Sequence, residues 1–374
     1  MRFSSLFSLA CTVAVAGCAA EASNSSGSTA AGQVRMYYVA ADEVPWDYVP
    51  GGRDNIAGAE FKSIGYFKAG PKPVSTTYTK VLYREYTDST FKTLKPRPPE
   101  WEHLGFLGPV IRGVVGDTIK ILFRNNAHQP FSMHPHGVIY KKDSEGASYD
   151  DGTTGNDKHD DGVPPTESHL YVWPVPERAG PADHDVSSVI WMYHSHHDEV
   201  KDINTGLMGP LIITAQGKAR ADGSPSDVDR EIVGSFMQVH EEDSWLAMQN
   251  IGKNFETVTP PPVGQSQNFY PYFVKFTVNG FTHGSMPLSA LTLKKGQRVR
   301  WYVFSGTNDF DAHAPHWHGN TVTINHMRMD VTSLLPMEMI VADMVPDNAG
   351  TWLYHCHVSF HNTEGMGVRY VVSE

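Results

Sequence analysis

The chain is poor in cysteine. Of 374 residues only three are cysteine, and Cys11 and Cys18 both lie at the N-terminus. The rest holds Cys356 alone, which excludes an internal disulfide there and leaves a thiol that is either inert and buried or has a chemical task. Positive charge is also scarce, with 30 Lys and Arg against 41 Asp and Glu and a formal net charge of −11. That balance offers no footing for a phosphate backbone, so nucleic acid is not an expected partner. Beyond the N-terminal region no uncharged apolar run is long enough to span a bilayer.

The N-terminal region itself reads as an export signal. Arg2 is a short basic start, Phe3 to Ala16 is mostly apolar and small, and Val15-Ala16-Gly17-Cys18 resembles a bacterial lipoprotein processing site. A plain secretory cleavage near Ala20 or Ala22 is the alternative. Ser23 to Gly32 is small and polar and reads as a tether. Residues 1–32 are thus expected to be signal and tether, and the protein to be exported, periplasmic or at the cell surface. A lipid anchor at Cys18 is the expected contact with a membrane.

Glycine (33) and proline (25) punctuate a chain with aromatic and β-branched residues throughout, a composition that leans towards short strands and turns. Two segments look alike. Gly108 to Phe123 and Pro287 to Tyr302 each read as strand, glycine turn and alternating strand. Each is followed by a His-x-His pair, His134/His136 and His316/His318. Each half then ends in a Trp-x-Tyr-His-x-His run, Trp191 to His196 and Trp352 to His357. Two copies of one β domain account for this. The charged stretch Gln216 to Arg230 marks the boundary, giving domains over 33–220 and 231–374. The Pro-rich stretch 257–267 reads as a surface loop. Residues 143–161, with seven Asp or Glu, read as an exposed acidic loop.

Four His-x-His pairs carry the chemistry: His134/His136, His194/His196, His316/His318 and His355/His357. In a strand, residues i and i+2 share a face with Cα atoms roughly 7 Å apart, a spacing suited to two neighbouring metals. Imidazole suits copper and zinc. The last pair encloses the lone thiol, and alternation turns Cys356 to the opposite face. His361 and Met366 follow, and His313 lies three residues before His316. Two His, a thiolate and a weak Met ligand are the donor set of a blue-copper electron-transfer centre. The aligned positions of the first half hold Phe131 for His313 and Ser195 for Cys356. One such centre per chain is therefore expected, in the second domain. Met208 resembles Met366 in its surroundings and reads as a packing residue.

These residues resemble the multicopper oxidase family, in its ceruloplasmin-like branch. Tyr37 to Tyr48, His136-Gly137-Val138-Ile139-Tyr140, Ser144-Glu145-Gly146 and Tyr149-Asp150-Asp151 are similar to ceruloplasmin and coagulation-factor A domains. With two domains, the chain resembles a bacterial two-domain laccase-type oxidase. The resemblance implies an all-β protein of two cupredoxin-like Greek-key β-sandwich domains and four coppers per subunit. His313, Cys356, His361 and Met366 would hold the type 1 copper, and His134 and His316 the type 2. His136, His194, His196, His318, His355 and His357 would hold the type 3 pair. It also implies a homotrimer whose trinuclear cluster forms between subunits.

The implied reaction is four one-electron oxidations coupled to reduction of dioxygen to two waters. His355, Cys356 and His357 would carry the electrons, and a carboxylate near the cluster would deliver protons. Asp161 sits where laccases carry an Asp-Gly-Val run, and Asp151 is the alternative. Laccase-like oxidation of phenols and aromatic amines is the first expectation for the small reducing substrate, with metal ions (ferrous, cuprous or manganous) second. A copper nitrite reductase would carry its type 1 copper in the first domain, and a non-catalytic copper-binding module would have lost ligands. Met327, Met329, Met337 and Met339 alternate as strand packing does.

Overall fold

The structure, a computed structural model, describes residues 32–61, 75–254, 274–306 and 312–374. The signal and lipoprotein site, all of the tether but its last residue, and the Pro-rich stretch 257–267 lie outside them.

The first half contains β1 (Val34–Asp47), β2 (Thr77–Glu85), β3 (Ile111–Val114), β4 (Thr118–Asn125), β5 (His134–Pro135), β6 (Ser168–Pro174), β7 (Ser188–His194) and β8 (Met208–Thr214). Its two sheets have the orders β2-β1-β4-β6 and β3-β8-β7-β5. The second half contains β9 (Arg230–His240), β10 (Val274–Val278), β11 (Thr292–Lys294), β12 (Val299–Ser305), β13 (Pro315–Trp317), β14 (Val322–Ile324), β15 (Met327–Met329), β16 (Met339–Met344), β17 (Gly350–Cys356) and β18 (Gly367–Ser373). Its sheets run β10-β9-β12-β16-β14-β15 and β11-β18-β17-β13. The second set repeats the first with β14 and β15 added at one edge, and it keeps the parallel pairs: β1 with β4 as β9 with β12, and β3 with β8 as β11 with β18. The duplication read from the sequence is a duplication of topology.

The alternation of β4 explains its role. Ile119, Ile121 and Phe123 are fully buried, whereas Thr118, Lys120 and Leu122 are partly exposed. One apolar core fills each sandwich. A third joins the halves, with Tyr48, Leu82, Ile190 and Met192 meeting Val233, Met237, Tyr302 and Phe304. Each such side chain contributes about 1.5–3 kcal/mol on burial, so separating the halves would expose a large part of the molecule's stability. Arg112 crosses the same seam with a bidentate ion pair to Glu231, at 3.0 and 2.7 Å. Among the described residues three short α-helices lie between strands: α1 (Glu199–Thr205), α2 (Ala247–Asn254) and α3 (Ser359–Thr363).

Candidate metal centre

The strand register places the histidines. On β5 and β7, His134 pairs opposite His194; on β13 and β17, His316 pairs opposite His355. A glycine follows each first pair in the left-handed region, Gly137 at φ +78° and Gly319 at φ +72°. A β-carbon at Gly137 would lie 2.3 Å from the Trp191 ring, and one at Gly319 would lie 2.4 Å from the Trp352 ring. The Trp of each Trp-x-Tyr-His-x-His run therefore packs on the backbone turn after the opposite His-x-His pair, and only glycine fits there.

Each half gathers its four imidazoles. In the first, His136 Nε2 and His194 Nε2 are 3.1 Å apart, and the His134 ring lies 5.2 to 5.6 Å from those of His136, His194 and His196. In the second, His355 Nε2 lies 3.0 Å from His318 Nε2 and 3.2 Å from His316 Nδ1, with the His357 ring 5.1 Å from that of His316. Carbonyls fix several tautomers. His134 Nδ1 donates to Glu145 O at 2.7 Å, His194 Nδ1 to Ser195 O at 3.1 Å and His355 Nδ1 to Cys356 O at 2.7 Å. That leaves each Nε2 with its lone pair for a metal. Burial pushes His136 and His355 down to about 4 and lowers His134 and His194 as well, so these rings are neutral at neutral pH, the form that can bind a metal. No ring of the first set touches a ring of the second within the chain.

The sulfur centre lies on the other face of β17. Cys356 Sγ is 3.9 Å from His313 Nδ1 and 3.5 Å from His361 Nδ1, and the two Nδ1 atoms are 3.2 Å apart. A metal about 2.0–2.1 Å from imidazole nitrogen and about 2.3 Å from thiolate sulfur needs edges of roughly 3.5–3.8 Å in a trigonal set. The donor set present fits a copper ion. All three residues are buried, as is Met366, whose carbonyl accepts the Cys356 N–H at 3.0 Å. Ala314 N–H donates to the sulfur at 3.3 Å.

The first half shows what this centre becomes without its ligands. Ser195 stands in the Cys356 position, and its N–H donates to Leu207 O at 3.1 Å. Leu207, not Met208, therefore matches Met366; pairing of Met208 with His194 and of Gly367 with His355 gives the same register. Met208 belongs to the core between the halves. Ser195 Oγ donates to Asp202 on α1 at 2.6 Å, and Trp245 Nε1 donates to the other oxygen of that carboxylate at 2.8 Å. A hydrogen-bond network thus fills the space.

Asp161 pairs with Lys158 at 3.2 Å and Asp151 with Lys142 at 2.9 Å, and neither bonds to any of the eight imidazoles. Glu199 lies 3.5 Å from His196 Nε2 and Asp330 3.7 Å from His316 Nε2, while Asp160, fully buried, is linked to His134 through one peptide unit. Its Oδ2 accepts Gly146 N–H at 2.8 Å, and the carbonyl of the same peptide unit, Glu145 O, accepts His134 Nδ1–H. The loop 143–161 is less exposed than its charge suggests, since Asp160 and Asp161 are buried and two lysines neutralise part of it. Gln238, unnoticed in the sequence, hydrogen-bonds His361 Nε2 at 3.1 Å. Met329 packs on the second-half core, and Met337 and Met339 on the core between the halves, whereas Met327 is exposed.

Comparison with known proteins agrees with this geometry. Two family models described as multicopper oxidase match residues 104–218 and 257–374. The chain is 42% identical to ferroxidase HEPHL1 of Mus musculus over 90% of its own length and 29% of the relative's. It is 37% identical to hephaestin of Rattus norvegicus, covering 91% of this chain and 30% of that one. Against ceruloplasmin of Homo sapiens it is 36% identical, covering 91% and 33%. The chain thus spans about a third or less of the length of these relatives. Among solved structures, a blue copper oxidase from Nitrosomonas europaea superposes with a TM-score of 0.58 at 16% identity, covering 91% of this chain and 86% of that one. Another multicopper oxidase gives 0.55 at 16%, covering 91% and 89%. These likenesses show an all-β fold of cupredoxin-like sandwiches. Sulfur centre, paired histidines, duplicated sandwich and matched family models lead to one conclusion: the chain belongs to the multicopper oxidase family.

Proposed function

We propose that this protein is an exported oxidase that takes single electrons from a reduced metal ion and passes them to dioxygen. The carrying observation is the His355-Cys356-His357 segment at the end of β17, which puts the sulfur centre on one face and two cluster imidazoles on the other. Copper bound there would supply reversible one-electron chemistry at the sulfur and multi-electron reduction of oxygen at the histidines. We assign His313, Cys356, His361 and Met366 to type 1 copper and His134 and His316 to type 2. His136, His194, His196, His318, His355 and His357 take the type 3 pair, giving four coppers in all.

The chain's residues do the rest. Carbonyl acceptors orient His134, His194 and His355, and burial keeps these three rings and His136 neutral. Peptide bonds join Cys356 to both neighbouring ligands, so no side-chain gap interrupts the path between the two faces. Four electrons and four protons convert one dioxygen to two waters. Asp160, through the 145–146 peptide, holds the His134 ring.

The likeness to ferroxidases moves the expected donor from phenols and aromatic amines to metal ions. One feature keeps the aromatic donor as a second reading: Phe360 is 40% exposed and stacks edge-on to Phe276, which lies against the His361 ring. Oxygen uptake with ferrous iron, cuprous copper, manganous ion and a phenol, each as sole donor, separates the two. Fastest turnover with the phenol overturns the metal reading.

Since the two histidine sets do not touch within one chain, we also propose a head-to-tail homotrimer in which the first-half set of one copy meets the second-half set of the next. Analytical ultracentrifugation tests this, and an active monomer overturns it. Export and a lipid anchor at Cys18 complete the reading; mass spectrometry of the mature N-terminus checks both.

A further inference from the structure

Two histidines outside the sulfur centre and the cluster sets face one another nitrogen to nitrogen. His169 is the second residue of β6, and His159 lies in the 143–161 loop. Their Nδ1 atoms are 3.2 Å apart. The outer nitrogen of each ring meets an acceptor. His159 Nε2 lies 3.0 Å from a Glu167 carboxylate oxygen, and His169 Nε2 lies 2.7 Å from the Asp143 carbonyl oxygen. An ionised carboxylate and a carbonyl only accept, so in each ring Nε2 carries a proton. Burial lowers His169, which keeps that ring neutral at neutral pH. With both rings neutral, two Nδ1 lone pairs face each other, a contact that calls for a metal ion or an added proton between them.

The spacing suits a metal. With bonds of about 2.0–2.1 Å to imidazole nitrogen, a 3.2 Å separation sets the N–metal–N angle at roughly 100°. Tetrahedral zinc and adjacent positions of tetragonal cupric ion take that angle, whereas a linear cuprous ion would hold the nitrogens roughly 4 Å apart. His313 and His361 of the sulfur centre keep the same 3.2 Å between their Nδ1 atoms. A metal-bound imidazole characteristically donates its other N–H to a carboxylate or a carbonyl, and each of these rings does so. The His159 side chain is 34% exposed, so water can reach the remaining positions.

The place of the pair on β6 gives it a task. His169, Tyr171 and Trp173 alternate onto one face of the strand, and each donates to the acidic loop. His169 reaches Asp143 O, Tyr171 Oη reaches Asp160 O at 2.7 Å, and Trp173 Nε1 reaches Ser144 O at 3.0 Å. His159 directly precedes Asp160, whose carboxylate holds the 145–146 peptide that orients His134. We infer that His159 and His169 bind a zinc or cupric ion that ties this loop to β6. The ion adds a coordinate link to the hydrogen bonds and steadies the segment behind His134.

The test uses the copper-loaded protein, in which copper already occupies the sulfur and cluster ligands and outcompetes zinc there. Zinc chloride is titrated calorimetrically at neutral pH. The wild type should take up one zinc ion per chain, and its melting temperature should rise with zinc. His159→Ala and His169→Gln should each abolish that uptake and the thermal shift. Glu167→Gln leaves both rings in place and should weaken zinc binding roughly tenfold, a measurement that stands even where a histidine variant fails to fold. Unchanged blue absorption reports which variants are folded. No zinc uptake by the wild type would overturn the site and leave a shared proton between the rings. Zinc affinity unchanged in every folded variant would overturn it equally.

Discussion

Ala314 donates its backbone N–H to the sulfur of Cys356 across the β13–β17 pair, at 3.3 Å. A donor on a thiolate withdraws electron density from it and so favours the reduced state of a metal bound there. Ala314→Pro removes this N–H and no side chain of consequence. The expected result is a lower reduction potential, read by redox titration of the blue absorption. An unchanged potential would mean the contact does not tune the centre.

Ser195 occupies in the first half the station Cys356 holds in the second. Serine therefore fits this strand position, and Cys356→Ser should fold with a stability change of about 1 kcal/mol. Blue absorption and oxygen uptake should both vanish. Retained turnover in that variant would sink the assignment of the sulfur.

Burial, with Asp161 and Asp143 nearby, lifts the Asp160 carboxyl from 3.8 to about 6. Between those values the folded chain holds a proton that the unfolded chain has released. Its contribution to stability is therefore full below pH 3.8 and is lost as pH rises through about 6. Asp160→Asn lacks the titrating group. The melting temperature of the wild type relative to this variant should fall across that window and then level off. A difference independent of pH contradicts the assignment.

Glu231 is 9% exposed and accepts from both Arg112 nitrogens and from Tyr302 Oη. Glu231→Ala strands the Arg112 guanidinium in the seam between the halves and should cost about 3–5 kcal/mol. Replacing Arg112 by Met as well should recover part of that loss. Urea denaturation of the two variants measures both effects.

Much of the site is legible in the sequence because strand alternation converts spacing directly into facing. The His-Cys-His run on β17 needs only that rule, as does the absence of a sulfur centre in the first half. Other features depend on register or on contacts across loops. Met208 looks like Met366 because both lie beside glycine, and only the β7–β8 pairing shifts the match to Leu207. Asp160 reaches His134 through one peptide unit of a loop without periodicity, whereas Asp161 stands out in the sequence through its Asp-Gly-Val run. Gln238 did leave a signal: it is a lone amide in the apolar run of β9.

The separation of the two histidine sets within each chain splits two properties that usually travel together. Colour would belong to atoms of a single polypeptide, whereas respiration-like activity would require neighbours. Progressive dilution should therefore quench oxygen consumption while the solution, corrected for concentration, stays equally blue, and remixing should restore it.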